Sequence, residues 1–190
     1  MANEKNANKK CMTPTFRVSF PNVFKPVSYE GNEPKYSVVM LFNKKDADLT
    51  PIKKAVFNAA VEKWGPKEKW PKGLKMPFRD GDEKSDLQGY EGTTFATATS
   101  KQKPGVISKS KEPITEQDGS FYAGCFARAT LMAYTYDVKG NKGVALALQN
   151  IQKLGDGESF SGRKAAEDEF DSVDDGSDDA DNYGDIDLGD

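Results

Sequence analysis

The sequence predicts a mainly β fold: five strands closing as a small barrel, with one helix, a long basic loop and a disordered acidic C-terminal tail. Three observations carry this. Apolar and polar residues alternate with a period of two in several separate stretches, one stretch has helical spacing, and charge divides sharply between body and tail.

The arm at residues 1–12 has no apolar periodicity and is rich in Asn, Lys and Glu, so it is expected to be disordered. From Thr15 to Phe20, Phe16, Val18 and Phe20 alternate with Thr15, Arg17 and Ser19, the pattern of a half-buried strand. A turn-rich stretch through Pro26, Gly31 and Pro34 follows. Tyr36 to Phe42 is apolar on both faces, as a central strand is. Thr50 as N-cap and Pro51 at the first helical position open a helix in which Ile52, Ala55, Val56, Ala59 and Ala60 recur at helical spacing until Gly65.

Between Gly65 and Tyr90, prolines and glycines interleave with Lys67, Lys69, Trp70, Lys72, Lys75, Phe78 and Arg79; this reads as a long functional loop. Thr93 to Thr99 is a strand, and a short strand at Gly105-Val106-Ile107 lies between basic turns. Phe121 to Tyr136 is the longest strand, with Gly124 marking a bulge or bend. A hairpin through Gly140-Asn141 leads into Val144, Leu146 and Leu148. After Leu154, Gly, Ser, Asp and Glu take over and order is expected to end. The division is an arm at 1–12, a domain at 13–160 and an acidic tail at 161–190.

Composition excludes much chemistry. Histidine is absent, which removes the commonest general base and the usual zinc ligand. Cys11 and Cys125 are not in CxxC spacing and are expected to be reduced thiols. No apolar run of about eighteen residues exists, and Met1 to Lys10 has no signal-peptide character, so no membrane association is expected. Asp80, Asp82 and Glu91 fall at calcium-loop positions one, three and twelve, but Lys84 and Ser85 stand where an oxygen ligand and glycine belong. No metal, no cofactor and no catalysis are expected.

All 27 Lys and Arg lie at or before Lys164, whereas the tail holds 12 of the 30 Asp and Glu. Up to Ala166 the chain holds 27 cations against 18 acids, a balance that suits a polyanion. Single strands are bound by cations along the phosphates and aromatic faces under unpaired bases. On the Phe121–Tyr136 stretch, Tyr122, Phe126, Arg128 and Tyr134 share a face and form the first candidate platform, with Phe126 alternatively turned to the core. Trp70, Lys72, Lys75, Phe78 and Arg79 of the loop form a candidate mobile flap, and Lys101, Lys103 and Lys109 candidate phosphate contacts. In the tail, Asp178, Asp179, Asp181, Asp185, Asp187 and Leu188 are candidates for partner binding.

Phe78-Arg79-Asp80-Gly81-Asp82-Glu83-Lys84, Gly89-Tyr90-Glu91-Gly92, Phe121-Tyr122-Ala123-Gly124-Cys125, Lys142-Gly143-Val144-Ala145 and Leu148-Gln149-Asn150-Ile151-Gln152-Lys153 resemble tailed-phage single-stranded-DNA-binding proteins. The resemblance covers most of Thr13 to Phe170. It implies an OB-like barrel that binds single strands with little sequence preference and protects intermediates of phage DNA replication, recombination and repair, in the cytoplasm of the infected bacterial cell. It also implies an acidic tail that competes with DNA and recruits replication proteins such as a DNA polymerase or helicase. A homodimer is compatible with this reading. Two other readings stay open: a single-strand annealing protein that assembles into rings, and a phage structural or interaction protein that binds no nucleic acid.

Overall fold

The structure, a computed structural model, describes residues 6–161. In chain order its elements are β1 (Lys10–Met12), β2 (Phe16–Val27), β3 (Lys35–Asn43), α1 (Thr50–Trp64), β4 (Phe78–Asp80), β5 (Thr93–Ser100), β6 (Gly105–Ile107), β7 (Phe126–Val138) and β8 (Asn141–Gly155). Five strands close on themselves in the order β2, β3, β5, β8, β7 and back to β2, each pairing antiparallel except β5 with β8. This is the expected five-stranded OB-like barrel. The short strands lengthen it: β1 pairs β7, β4 pairs β5, and β6 pairs β8.

Period-two alternation fills the barrel. Val38, Met40 and Phe42 of β3 point inward, as do Ala127, Ala129, Leu131 and Ala133 of β7 and Val144, Leu146 and Leu148 of β8. The alanines of β7 leave room for α1, which packs on β1, β7 and β8 through Ile52, Ala55, Val56, Ala59 and Ala60. Asp48 accepts the Thr50 N–H at 2.9 Å, so the side-chain bond at the helix start comes from Asp48 rather than from Thr50. Trp64 is half-buried against the core at the other end of α1. The β7–β8 hairpin turns through Lys139 and Gly140, both at positive φ, as a two-residue type I′ turn requires.

Four expectations change. The arm is ordered from residue 6: Lys10–Met12 pairs with Met132–Thr130, Lys9 meets Glu62 at 2.7 Å, and the Thr13 hydroxyl accepts the Ala129 N–H. Beyond Phe16 and Arg17, the edge of β7 has no β2 neighbour, and unpaired main chain recruits a strand whatever its side-chain pattern. Residues 1–5 lie outside the described part.

The long strand begins at Phe126, not Phe121. Gly124, at φ +113°, turns the chain immediately before it, and Phe121 instead packs edge-on against Phe24. The basic loop is no free flap. It holds β4 and two short 3-10 turns, and Lys75 exchanges main-chain hydrogen bonds with Lys142 and Val144 of the hairpin. Order also continues past Leu154: β8 runs to Gly155, and residues 156–161 fold back over the barrel. The rest of the tail call, 162–190 with Asp178, Asp179, Asp181, Asp185, Asp187 and Leu188, lies outside the described residues.

Docking the arm half-buries Cys11 against the core, and burial pushes its thiol up to about 11. At pH 8 only about one molecule in a thousand carries the thiolate that reacts with disulfide reagents. A slow reaction at pH 8, accelerating severalfold per pH step, is the expected result of a DTNB assay. A rate like that of an unhindered thiol would show that the arm leaves the barrel.

Candidate nucleic-acid interface

Register decides which residues share the outer surface. Arg17 and Ser19 of β2 lie opposite Leu41 and Val39 of β3; Leu41, Val39 and Ser37 lie opposite Phe95, Thr97 and Thr99 of β5. These residues form one outward face across three strands, their neighbours Val18, Val38, Met40, Ala96 and Ala98 being inside. In OB-type barrels, the outer face of the second and third barrel strands, with the loop joining the first two, is the general location for oligonucleotides. Here those strands are β3 and β5.

One end of the face is covered. Leu41, Tyr90 and Phe95 make a small buried cluster flanked by Val39, Leu87 and Phe160. The Tyr90 hydroxyl lies 3.2 Å from the Ser19 hydroxyl, and Arg79 and Lys84 hold their charges 5.8 and 6.0 Å from the Phe95 ring centre. Next to it stands Arg17, which donates to the carbonyls of Gly124 (3.0 Å) and Glu158 (2.8 Å). Its guanidinium lies 4.6 Å from the Phe160 ring centre and 5.7 Å from that of Phe126.

The other end is open. Phe20 is 54% exposed and Tyr29 61%. Tyr29 is tied to the face through Asn22, whose amide reaches the Tyr29 hydroxyl at 3.4 Å and the Ser37 hydroxyl at 3.3 Å. Phe20 sits in the irregularity between Ser19 and Asn22, at φ +43°. A bulky non-glycine residue there is strained, and strain of that kind concentrates at binding sites.

The residues singled out from sequence do not assemble on one face. Phe126 is exposed beside Arg17, and Arg79 rims the covered end, so these two join the face. Tyr122 is not a free ring: it precedes β7, its hydroxyl lies between the Asp156 carboxylate (3.1 Å) and the main chain of Gly157, and Lys153 sits 5.4 Å from its ring centre. Lys153 also holds the Asp156 carboxyl below the usual range. Arg128 is exposed on the outside of β7 and donates to Gln152 at 2.9 Å. Tyr134 is exposed beside Lys9, Glu62 and Lys63 on the α1 side. Tyr122 therefore leaves the alternation, while Phe126, Arg128 and Tyr134 keep the outward side of β7.

Trp70 packs at a tilt against Phe57 of α1, ring centres 5.5 Å apart, and donates its indole N–H to the Gly65 carbonyl, and Phe78 packs against the core. Lys72 is exposed; Lys75 reaches Asn141 at 3.2 Å. Lys101 pairs with Glu33 at 2.7 Å, while Lys103 and Lys109 are exposed. Asp80 and Asp82 are bridged by Lys44 at 2.6 Å each, so an ammonium occupies the place between the two calcium-loop carboxylates and holds both below their usual range.

Sequence reasoning missed Arg17, Phe20, Tyr29, Lys84 and Phe160. Arg17 was visible as the polar member of an alternating strand. The others depend on how a bulge and two loops fold back over the sheet.

The family profile described as the ssDNA-binding protein of Enterobacter phage Enc34 matches residues 9–181. Putative protein p50 of Acyrthosiphon pisum secondary endosymbiont phage 1 is 36% identical over 167 residues, covering 83% of this chain and 90% of that protein. The single-stranded DNA-binding protein of bacteriophage Enc34, solved in complex with ssDNA, superposes with a TM-score of 0.68 at 23% identity, covering 80% of this chain and 89% of that one. The single-stranded DNA-binding protein gp2.5 of bacteriophage T7 shares the fold at a TM-score of 0.53 and 15% identity, covering 84% of this chain and 98% of that one. The family match takes in every strand of the barrel, and on that ground the chain belongs to the Enc34 phage ssDNA-binding protein family.

Proposed function

We propose that this protein binds single-stranded DNA with little sequence preference and protects exposed strands during phage DNA replication, recombination and repair in the infected cell. The observation that carries the reading is the outer face of β2, β3 and β5. Aromatic rings at Phe20, Tyr29 and Phe126 and cations at Arg17, Arg79 and Lys84 surround a floor of small and hydroxyl side chains. Rings receive bases, the cations contact phosphates, and a floor of Thr97, Thr99 and Ser37 offers no fixed pattern for reading base edges. Membership of the family and the ssDNA bound by the Enc34 protein support the same ligand. In this reading the acidic tail competes with DNA for the basic body and, once displaced, engages replication proteins such as a polymerase or helicase.

Fluorescence anisotropy with labelled oligo-dT and a duplex of equal length tests this. Oligo-dT is expected to bind more tightly, and log affinity to fall with log salt by about 0.7 per phosphate contact; with about five contacts, going from 50 to 200 mM salt costs on the order of 100-fold. Deleting the residues after Ala166 is expected to tighten binding on the order of tenfold at low salt, since a tethered competitor is then lost. Equal affinity for duplex and single strand would sink the proposal.

A further inference from the structure

The segment after β8 does something that a solubilising linker has no reason to do. From Asp156 to Ser161 the chain leaves the barrel, turns back and lies along the Tyr122–Gly124 turn, beside Arg17 of β2. It is fixed by Tyr122 at Gly157, by Arg17 at the Glu158 carbonyl and by a main-chain bond from the Phe160 N–H to the Ala123 carbonyl at 2.9 Å. Gly124 has to be glycine for this path, because a β-carbon there would meet the Glu158 carbonyl.

The segment delivers one ring to one seat. Phe160 lies against the Leu41, Tyr90 and Phe95 cluster with Val39 and Leu87, under the guanidinium of Arg17, and Gly89 borders the far edge of the ring so closely that a β-carbon would collide with it. An apolar floor, a planar cation above and a glycine at the rim suit any flat six-membered ring. A pyrimidine has the same outline as the phenyl group, and arginine planes stack on bases as they do on phenylalanine. The seat adjoins Phe126, and Tyr29 lies further along the same face, tied to it through Asn22 and Ser37.

We propose that this seat is a nucleobase subsite which the protein keeps filled with its own Phe160, so that a single strand takes the whole face only after the strap 156–161 has swung away. The proposal rests on the β2–β3–β5 face being the DNA surface. It differs from competition by the acidic tail, because the competing group here is an uncharged ring. The strap is suited to leaving: it pairs with no strand, Glu158 and Ser161 are exposed, and Phe160 is only partly buried. Arg17 serves both states: it gives up the Glu158 carbonyl when the strap leaves but keeps the Gly124 carbonyl, which holds its guanidinium at the seat for the base.

The test uses the full-length chain with Phe160→Ala and, as the conservative control, Phe160→Tyr. Both are titrated with labelled oligo-dT across a salt series, with thermal melts confirming the fold. Phe160→Ala is expected to bind roughly 3- to 30-fold more tightly, the size of a modest population shift, with an unchanged salt slope because no charge has been removed. Phe160→Tyr keeps a ring in the seat and is expected to bind like the wild type. Weaker binding by a folded Phe160→Ala would make the ring part of the DNA platform and overturn the plug; unchanged affinity, or a gain accompanied by a changed salt slope, would overturn it too. If the wild type itself prefers no single strand, the failure lies in the proposed function and takes this inference with it.

Discussion

Phe42→Ala is expected to cost about 3 to 5 kcal/mol of stability, the range for removing a fully buried aromatic side chain. Phe42 has no exposed surface, sits on the inward side of β3, and meets Phe16 of β2 edge-on at 5.8 Å between ring centres. It therefore joins two staves of the closed barrel, and truncation leaves a cavity that a sheet hydrogen-bonded on both sides of β3 has little freedom to collapse. A domain of this size has about 5 to 15 kcal/mol in total, so the variant retains only part of its margin. Urea unfolding followed by circular dichroism measures the effect, with Thr97→Ala as the comparison. Thr97 is exposed on the outer face of β5 and its loss is expected to fall within about 0.5 kcal/mol. Similar midpoints for the two variants would show that the barrel interior is not where the stability lies.

Much of this fold was legible because closing a barrel imposes a period of two, and a period is a local property. Phe16 with Val18, and the alanines of β7 set against its larger outward residues, showed which side of each strand is inside before any pairing was known. The helix was legible for the same reason. What escaped was non-local. β1 forms because the edge of β7 is vacant, which nothing in Lys10-Cys11-Met12 announces. Tyr122 looked like the next outward residue of a strand, and only the turn at Gly124 removes it from that alternation. The strap from Asp156 to Ser161 has the composition of a linker, and order is imposed on it by Arg17, more than a hundred residues away, and by the seat under Phe160. The body's excess of cations was plain from composition, whereas the distribution of its aromatics around the barrel was not: Trp70 and Tyr134 went to the helix side, Tyr29 to the sheet face, and Phe20 into an exposed irregularity of β2.

That distribution gives the second large effect. Substituting Phe20 and Tyr29 together by alanine is expected to weaken oligo-dT binding by at least about 30-fold, since each stacked base contributes about 1 to 3 kcal/mol and about 1.4 kcal/mol is a factor of ten. Both rings are more than half exposed, so the melting temperature should hardly move and the loss can be assigned to binding. Phe20→Ala by itself also removes a bulky side chain from a positive-φ position without relaxing the backbone as glycine would, which keeps the bulge in place while its ring is tested. The matched control is Trp70→Ala with Tyr134→Ala, the two aromatic residues that the chain's own pattern nominated and the fold carries to the α1 side. If the sheet face is the DNA surface, this control keeps its affinity within about threefold even where loss of the Phe57 contact lowers its stability. The reverse outcome, with binding lost in the control and kept in the Phe20 and Tyr29 pair, would move the DNA to the helix side of the barrel and leave the strained Phe20 without a binding role.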